Sequence, residues 1–123
     1  MTARMTPHKR PWSVAAVAIL YVITGTAGFA QHLHSIVVAR SLPVDLLLAE
    51  LTELAAIVSG VFLLRGARWA QWLALVWIAF HVAISTDSLL KTTVHGVLLM
   101  VIAWGLFHRE ARAYFPGAVQ TAA

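Results

Sequence analysis

Cysteine is absent and charge is scarce. Without a thiol the chain forms no disulfide, offers a metal no thiolate and carries no redox CxxC pair. Lys, Arg, Asp and Glu make up 11% of the 123 residues, against roughly 25% in soluble domains. Acidic side chains are the rarest, five against nine Lys and Arg. No internal repeat, low-complexity run or shift of composition marks a second domain, so residues 1–123 are expected to form a single one. What remains is apolar: 60% of residues are hydrophobic and the mean hydropathy is +0.80. This is the composition of an integral membrane protein, whose first partner is the lipid bilayer. A pI near 10.4 would also suit nucleic acid. The basic residues, however, are grouped in the way membrane topology requires, and no nucleic-acid partner is expected.

Four apolar segments stand out, at about residues 12–31, 44–64, 69–85 and 89–107. Ile36–Ala39 prolongs the apolar character of the first. The second, about 21 residues, is long enough for a hydrocarbon core of ~30 Å, and the third is near the lower limit. So few spans cannot close a barrel, which leaves helices. The connections are short. Gly66 in Arg65-Gly66-Ala67-Arg68 is a helix terminator, Thr86 or Asp87 is an expected N-cap, and Pro43 suits a first helical turn. Tyr114-Phe115-Pro116-Gly117 is expected to close the fourth helix, with a loose tail after it. Short loops make sequential helices antiparallel, so the expected fold is an all-α, up-down-up-down four-helix membrane bundle. Arg4, Lys9, Arg10, Arg65, Arg68, Arg109 and Arg112 fall on one side and only Arg40 and Lys91 on the other. That bias predicts a multi-pass protein of the plasma (inner) membrane with both termini cytoplasmic. A competing expectation is that residues 1–30, basic then apolar and ending Gly28-Phe29-Ala30, form a cleavable signal peptide. Cleavage would leave three spans.

Two carboxylates, Glu50 and Glu53, interrupt the second span. An ionisable group in hydrocarbon costs several kcal/mol and marks a functional site by default. The other spans carry His32, His81 and His95. At 1.5 Å per residue, Glu50, Glu53, His81 and His95 lie ~7–14 Å below the outer surface. Glu50 and Glu53 share a helix face, as do Trp77, His81 and Ser85, and Lys91 and His95. On the first span Tyr21, Thr24, Gly25, Gly28, His32 and Ser35 form a small-polar stripe that favours close helix approach. The four faces are expected to meet in one pocket open to the outer side. Glu50, Glu53, His81 and His95 are its candidate catalytic residues, and His32, Tyr21, Trp77 and Lys91 its candidate ligand-binding residues. Simpler roles compete: a packing role for each histidine, interfacial belts for Trp12, Trp69, Trp72 and Trp104, a surface pair for Asp87 and Lys91, and a helix-start carboxylate for Asp45.

This residue set supports several chemistries. A quinone or similar apolar ring could take hydrogen bonds from histidine and exchange a proton with a buried glutamate. His32, His81, His95 and Glu50 are candidate ligands of a zinc, iron or copper site. No HxxxH or ExxH spacing is present, and His32 and His34 project about 200° apart on a helix. Paired histidines on facing helices could also hold haem b. Acid–base isomerisation of an apolar substrate and a non-catalytic membrane scaffold complete the alternatives. A homo-oligomer or a partner membrane subunit is expected for so small a chain.

Glu53-Leu54 through Gly60, then Leu63-Leu64-Arg65-Gly66 and Arg68-Trp69-Ala70, resemble the second-helix pattern of the DoxX-like membrane proteins. In that pattern a Glu precedes a small-residue helix that ends in Leu-x-Gly and an Arg-containing turn. Tyr21-Val22-Ile23-Thr24-Gly25 resembles the family's first-helix segment. The resemblance implies a four-helix bundle and a subunit of quinone-linked sulfur or redox metabolism, as in thiosulfate:quinone oxidoreductase. It carries over Glu53 alone. His32, His34, His81 and His95 lie outside the pattern.

Overall fold

Each helix boundary coincides with a local break in the chain. The structure, a computed structural model, describes residues 9–115. Helix α1 spans Trp12–Ala39, α2 Val44–Leu64, α3 Arg68–Ile84, α4 Leu89–Phe107 and α5 Arg109–Tyr114. No strand occurs among the described residues. Arg4 of the charge count, the start of the candidate leader, the Pro116-Gly117 stop and the tail beyond it lie outside them.

Gly66 terminates α2 as expected, at φ 76°. The Gly66 and Ala67 amides donate to the Leu63 and Phe62 carbonyls at 3.1 and 3.0 Å, a Schellman closure that satisfies two carbonyls of the last turn. Three boundaries differ from expectation. Helix α1 does not stop near residue 31 but runs to Ala39, because no Gly or Pro interrupts residues 29–42. It ends on Arg40 in the left-handed region, φ 50°. The cap of α4 is neither Thr86 nor Asp87 but Ser88, whose hydroxyl accepts from the Lys91 amide at 3.4 Å. The fourth helix also breaks before Tyr114. His108 is extended, and the chain restarts as α5, which turns Ala111 and Phe115 into the core. Pro43 sits at the N-cap of α2, one residue before the helix, with Asp45 in the first turn.

Helices α1, α2 and α4 are long and apolar enough to cross a bilayer; α3, at 17 residues, is apolar but shorter. Their outer faces carry exposed apolar side chains, among them Ile23, Leu51, Val76 and Met100. Such a surface is unfavourable in water and costs nothing against lipid tails. The interior is thin: Val14, Ala18, Tyr21, Ala56, Leu63, Ala74, Ile78, Ile102 and Leu106 form its centre.

α1 packs most extensively along α2, α3 lies against both α2 and α4, and α4 also touches α1. Glycine sets the α1–α2 distance. A Cβ on Gly60 would stand 2.6 Å from the Ala18 carbonyl oxygen, and one on Gly25 2.8 Å from that of Glu53. At the end of the molecule that holds Arg65 and Arg68, two donors close α2. The Arg10 guanidinium and the Tyr114 hydroxyl both donate to the Leu64 carbonyl, at 2.6 and 2.7 Å. That contact ties the start of α1 and the end of α5 to the same helix terminus.

Candidate functional site

The close approach of α1 and α2 brings Glu53 to the middle of the molecule. Its carboxylate lies against the bare backbone of Gly28, where a Cβ would sit 2.6 Å from the Glu53 carboxyl carbon. Beyond it opens a cavity of about 270 Å³ lined from all four long helices: Leu20, Tyr21 and Thr24 of α1, Glu53 of α2, Trp77, Ile78 and His81 of α3, and His95, Leu98 and Ile102 of α4. A second cavity, about 320 Å³, lies on the other side of Glu53 and His81 and includes His32, Asp45, Thr52, Phe80 and Ile84. Glu53 and His81 are the titratable residues common to both.

Hydrogen bonds hold the walls. The Tyr21 hydroxyl donates to the Ala74 carbonyl at 2.6 Å, and the Trp77 indole to the Thr52 carbonyl at 2.8 Å. Each bond crosses between helices, one from α1 to α3 and one from α3 to α2. The two rings also pack on each other, with centroids 5.0 Å apart. Tyr21 and Trp77 therefore serve first as braces, and only their ring faces remain for a ligand.

The histidines are oriented by their own helices. His81 Nδ1 lies 2.9 Å from the Trp77 carbonyl and His95 Nδ1 2.8 Å from the Lys91 carbonyl. A carbonyl only accepts, so in each case Nδ1 carries the proton and the neutral ring keeps Nε2 as an acceptor. Ser85 links the two residues: its hydroxyl donates to the His81 carbonyl at 2.5 Å and lies 3.2 Å from His95 Nδ1, from which it accepts. The His81 ring lies 3.9 Å from the Trp77 ring and 6.0 Å from that of His95. Neutral His81 and His95 thus take a proton-bearing ligand atom; only the imidazolium form donates from Nε2.

Glu50 does not line either cavity. It is 8% exposed and faces His32, with Oε1 3.8 Å from Nδ1. Both atoms are buried without a hydrogen-bond partner. The separation is beyond hydrogen-bond range, and charge attraction operates only when the ring is protonated. Lys91 is not brought to the site. It is exposed and pairs with Asp87, one turn away, at 3.2 Å. Ser35 is exposed as well and bonds back to the Gln31 carbonyl of its own helix, so the small-polar stripe ends at His32.

The candidate metal ligands His32, His81, His95 and Glu50 do not converge on one point. Among the described residues no three His, Asp or Glu side chains gather around one point; His32 and Glu50 form one pair and His81 and His95 another. The His81 and His95 rings are stacked with 30° between their planes. Nitrogen lone pairs lie in the ring plane, so stacked rings do not direct both at an iron held between them.

Thr52 was not singled out from the sequence, although its carbonyl anchors Trp77 and its side chain borders the second cavity. The apolar wall of Leu20, Ile78, Leu98 and Ile102 carries no sequence signal that separates it from lipid-facing leucine and isoleucine. Comparison with family models, with curated proteins and with solved structures found no match to this chain.

Proposed function

We propose that this protein is a four-span inner-membrane bundle with cytoplasmic termini that binds the ring of a quinol–quinone couple, or a similar apolar ring, beside Glu53. In this reading it acts as a DoxX-like subunit of a membrane redox system. The observation that carries the proposal is the lining of the central cavity: one carboxylate, two imidazoles with acceptor nitrogens, two aromatic faces, one threonine and otherwise aliphatic walls. Its volume of about 270 Å³ is near the lower end of small-molecule sites, roughly 300–1,000 Å³. That suits a single ring system whose tail extends into lipid.

The chemistry follows from the proton positions. Oxidation of a hydroquinone releases two electrons and two protons: the hydroxyl bonded to Nε2 of His81 or His95 gives its proton to that imidazole, and Glu53 receives the other. In the reverse direction Glu53 supplies it. The electrons pass to or from a partner subunit. Glu53 and His81 border both cavities, and His32 lines the second. The second-span resemblance to DoxX-like proteins supports the redox assignment through Glu53 alone.

Glu53→Gln keeps the shape of the carboxylate and removes its proton exchange. The expected outcome is helix content and thermal stability like those of the parent protein, with loss of binding of a short-chain benzoquinol measured by quenching of tryptophan fluorescence. Unchanged binding in the variant would reject the assignment. An absorption spectrum with metal analysis of detergent-purified protein separates the alternatives: a Soret band or stoichiometric metal would replace the ring ligand with a cofactor.

A further inference from the structure

At the opposite end from Glu50 lies a third cavity, of about 370 Å³, with a different chemistry. Its walls are Arg68, Gln71, Trp72, Phe107, Arg112 and Phe115. Arg68 opens α3 and Arg112 sits in α5, so two arginines 44 positions apart in sequence border one opening. No carboxylate lines it, and among the described residues neither arginine takes part in an ion pair. Two cations held at one opening repel each other unless an anion lies between them. Helix α3 adds to the positive field, because it begins here with no side-chain cap and no acidic residue in its first turn. The lower wall is apolar and aromatic: Trp72 and Phe107 pack at 5.1 Å. Gln71 is held in place by its bond to the Leu106 carbonyl at 2.7 Å.

We propose that this cavity binds the phosphate of an anionic phospholipid, with the acyl chains passing down the Trp72 and Phe107 surface. The assignment to a lipid rests on the membrane reading above but not on the ring ligand at Glu53. Guanidinium forks match phosphate oxygens in pairs. Basic openings between helices on the cytoplasmic side of a membrane are the places where anionic headgroups bind. A zwitterionic lipid would bring an ammonium group up to the same two arginines, so a net anionic headgroup is favoured. The phosphate chemistry is shared with soluble phosphate, and the test separates the two sources.

The experiment is native mass spectrometry with thermal unfolding of detergent-purified protein, titrated with phosphatidylglycerol, with phosphatidylcholine of the same acyl chains, and with inorganic phosphate. The parent protein is expected to retain phosphatidylglycerol about tenfold more tightly than phosphatidylcholine, a difference in keeping with one or two charge-assisted hydrogen bonds. Arg68→Gln/Arg112→Gln removes that preference, and Arg109→Gln, exposed on the same short helix but outside the cavity, retains it. The two single variants carry the comparison if the double variant does not fold. Stabilisation by inorganic phosphate without a phosphatidylglycerol preference would overturn the lipid assignment in favour of a soluble anion. Equal phosphatidylglycerol preference in the parent protein and the folded Arg68/Arg112 variants would overturn the site itself.

Discussion

His32 and Glu50 face each other across 3.8 Å with both atoms buried and unpartnered. The two attract only while the imidazole is protonated, and in that state removing one side leaves the other uncompensated, at about 1–3 kcal/mol for a buried polar group. His32→Ala is therefore expected to destabilise the protein by roughly that amount. In a Glu50→Gln background the same substitution is expected to cost less, because a neutral amide no longer needs the imidazole. A double-mutant cycle by reversible unfolding in detergent measures the difference. Additive effects would mean that the two side chains do not interact. The contrast with Glu53 is one of surroundings: Glu53 opens on two cavities, whereas Glu50 is closed in by α1. The spacing of three residues put both on one helix face and could not separate these roles.

At the scale of the elements, glycine position outweighs glycine count. Gly60 lies where α1 and α2 nearly touch, with backbone oxygen 2.6 Å from its missing Cβ, while Gly96 in α4 has nothing within 4 Å. Gly60→Ala must push the helices apart and is expected to lower stability by about 1–3 kcal/mol, the usual cost of overpacking. Gly96→Ala meets no neighbour and is expected to be neutral or to stabilise by ~0.5–1 kcal/mol through helix propensity. Thermal unfolding of the two variants under identical conditions tests the pair, and equal effects would contradict this α1–α2 interface. The Tyr21 and Trp77 bonds show the same principle in polar form. Both side chains were expected to meet a ligand, and both spend their polar atoms bracing one helix against another.

For the whole molecule the open matter is how many helices cross the bilayer. Three are long and apolar enough for a span, and α3, at 17 residues, is at the lower limit. The proposed four-span reading has it cross, with Arg65 and Arg68 before it and Asp87 and Lys91 after it. The absence of cysteine provides a clean assay, since any introduced thiol is the only one. Ser41→Cys and Asp87→Cys are expected to react with a membrane-impermeant maleimide added to intact cells. Ala67→Cys is expected to react only after lysis. Reaction of Ala67→Cys and Asp87→Cys from the same side would mean that α3 does not cross.

The amino-acid sequence by itself determined the apolar helices. Hydropathy, segment length and the Gly66 and Pro43 breaks are local properties, so α2 was legible to the residue, and of α4 the apolar extent but neither its cap nor its stop at His108. Glu53 also stands out in the sequence, because a carboxylate in an apolar helix is costly wherever that helix packs. Only the tertiary structure decided which polar residues share a cavity. Rotation of one helix against another depends on contacts such as Gly60 on Ala18, which no periodicity encodes. That rotation sends Lys91 outward, pairs Glu50 with His32 and joins Glu53 to His81 and His95. It also gathers Arg68 and Arg112, two members of a topology signal, into one opening. Charge counted along the chain gives a side of the membrane, and charge brought together in space gives a site.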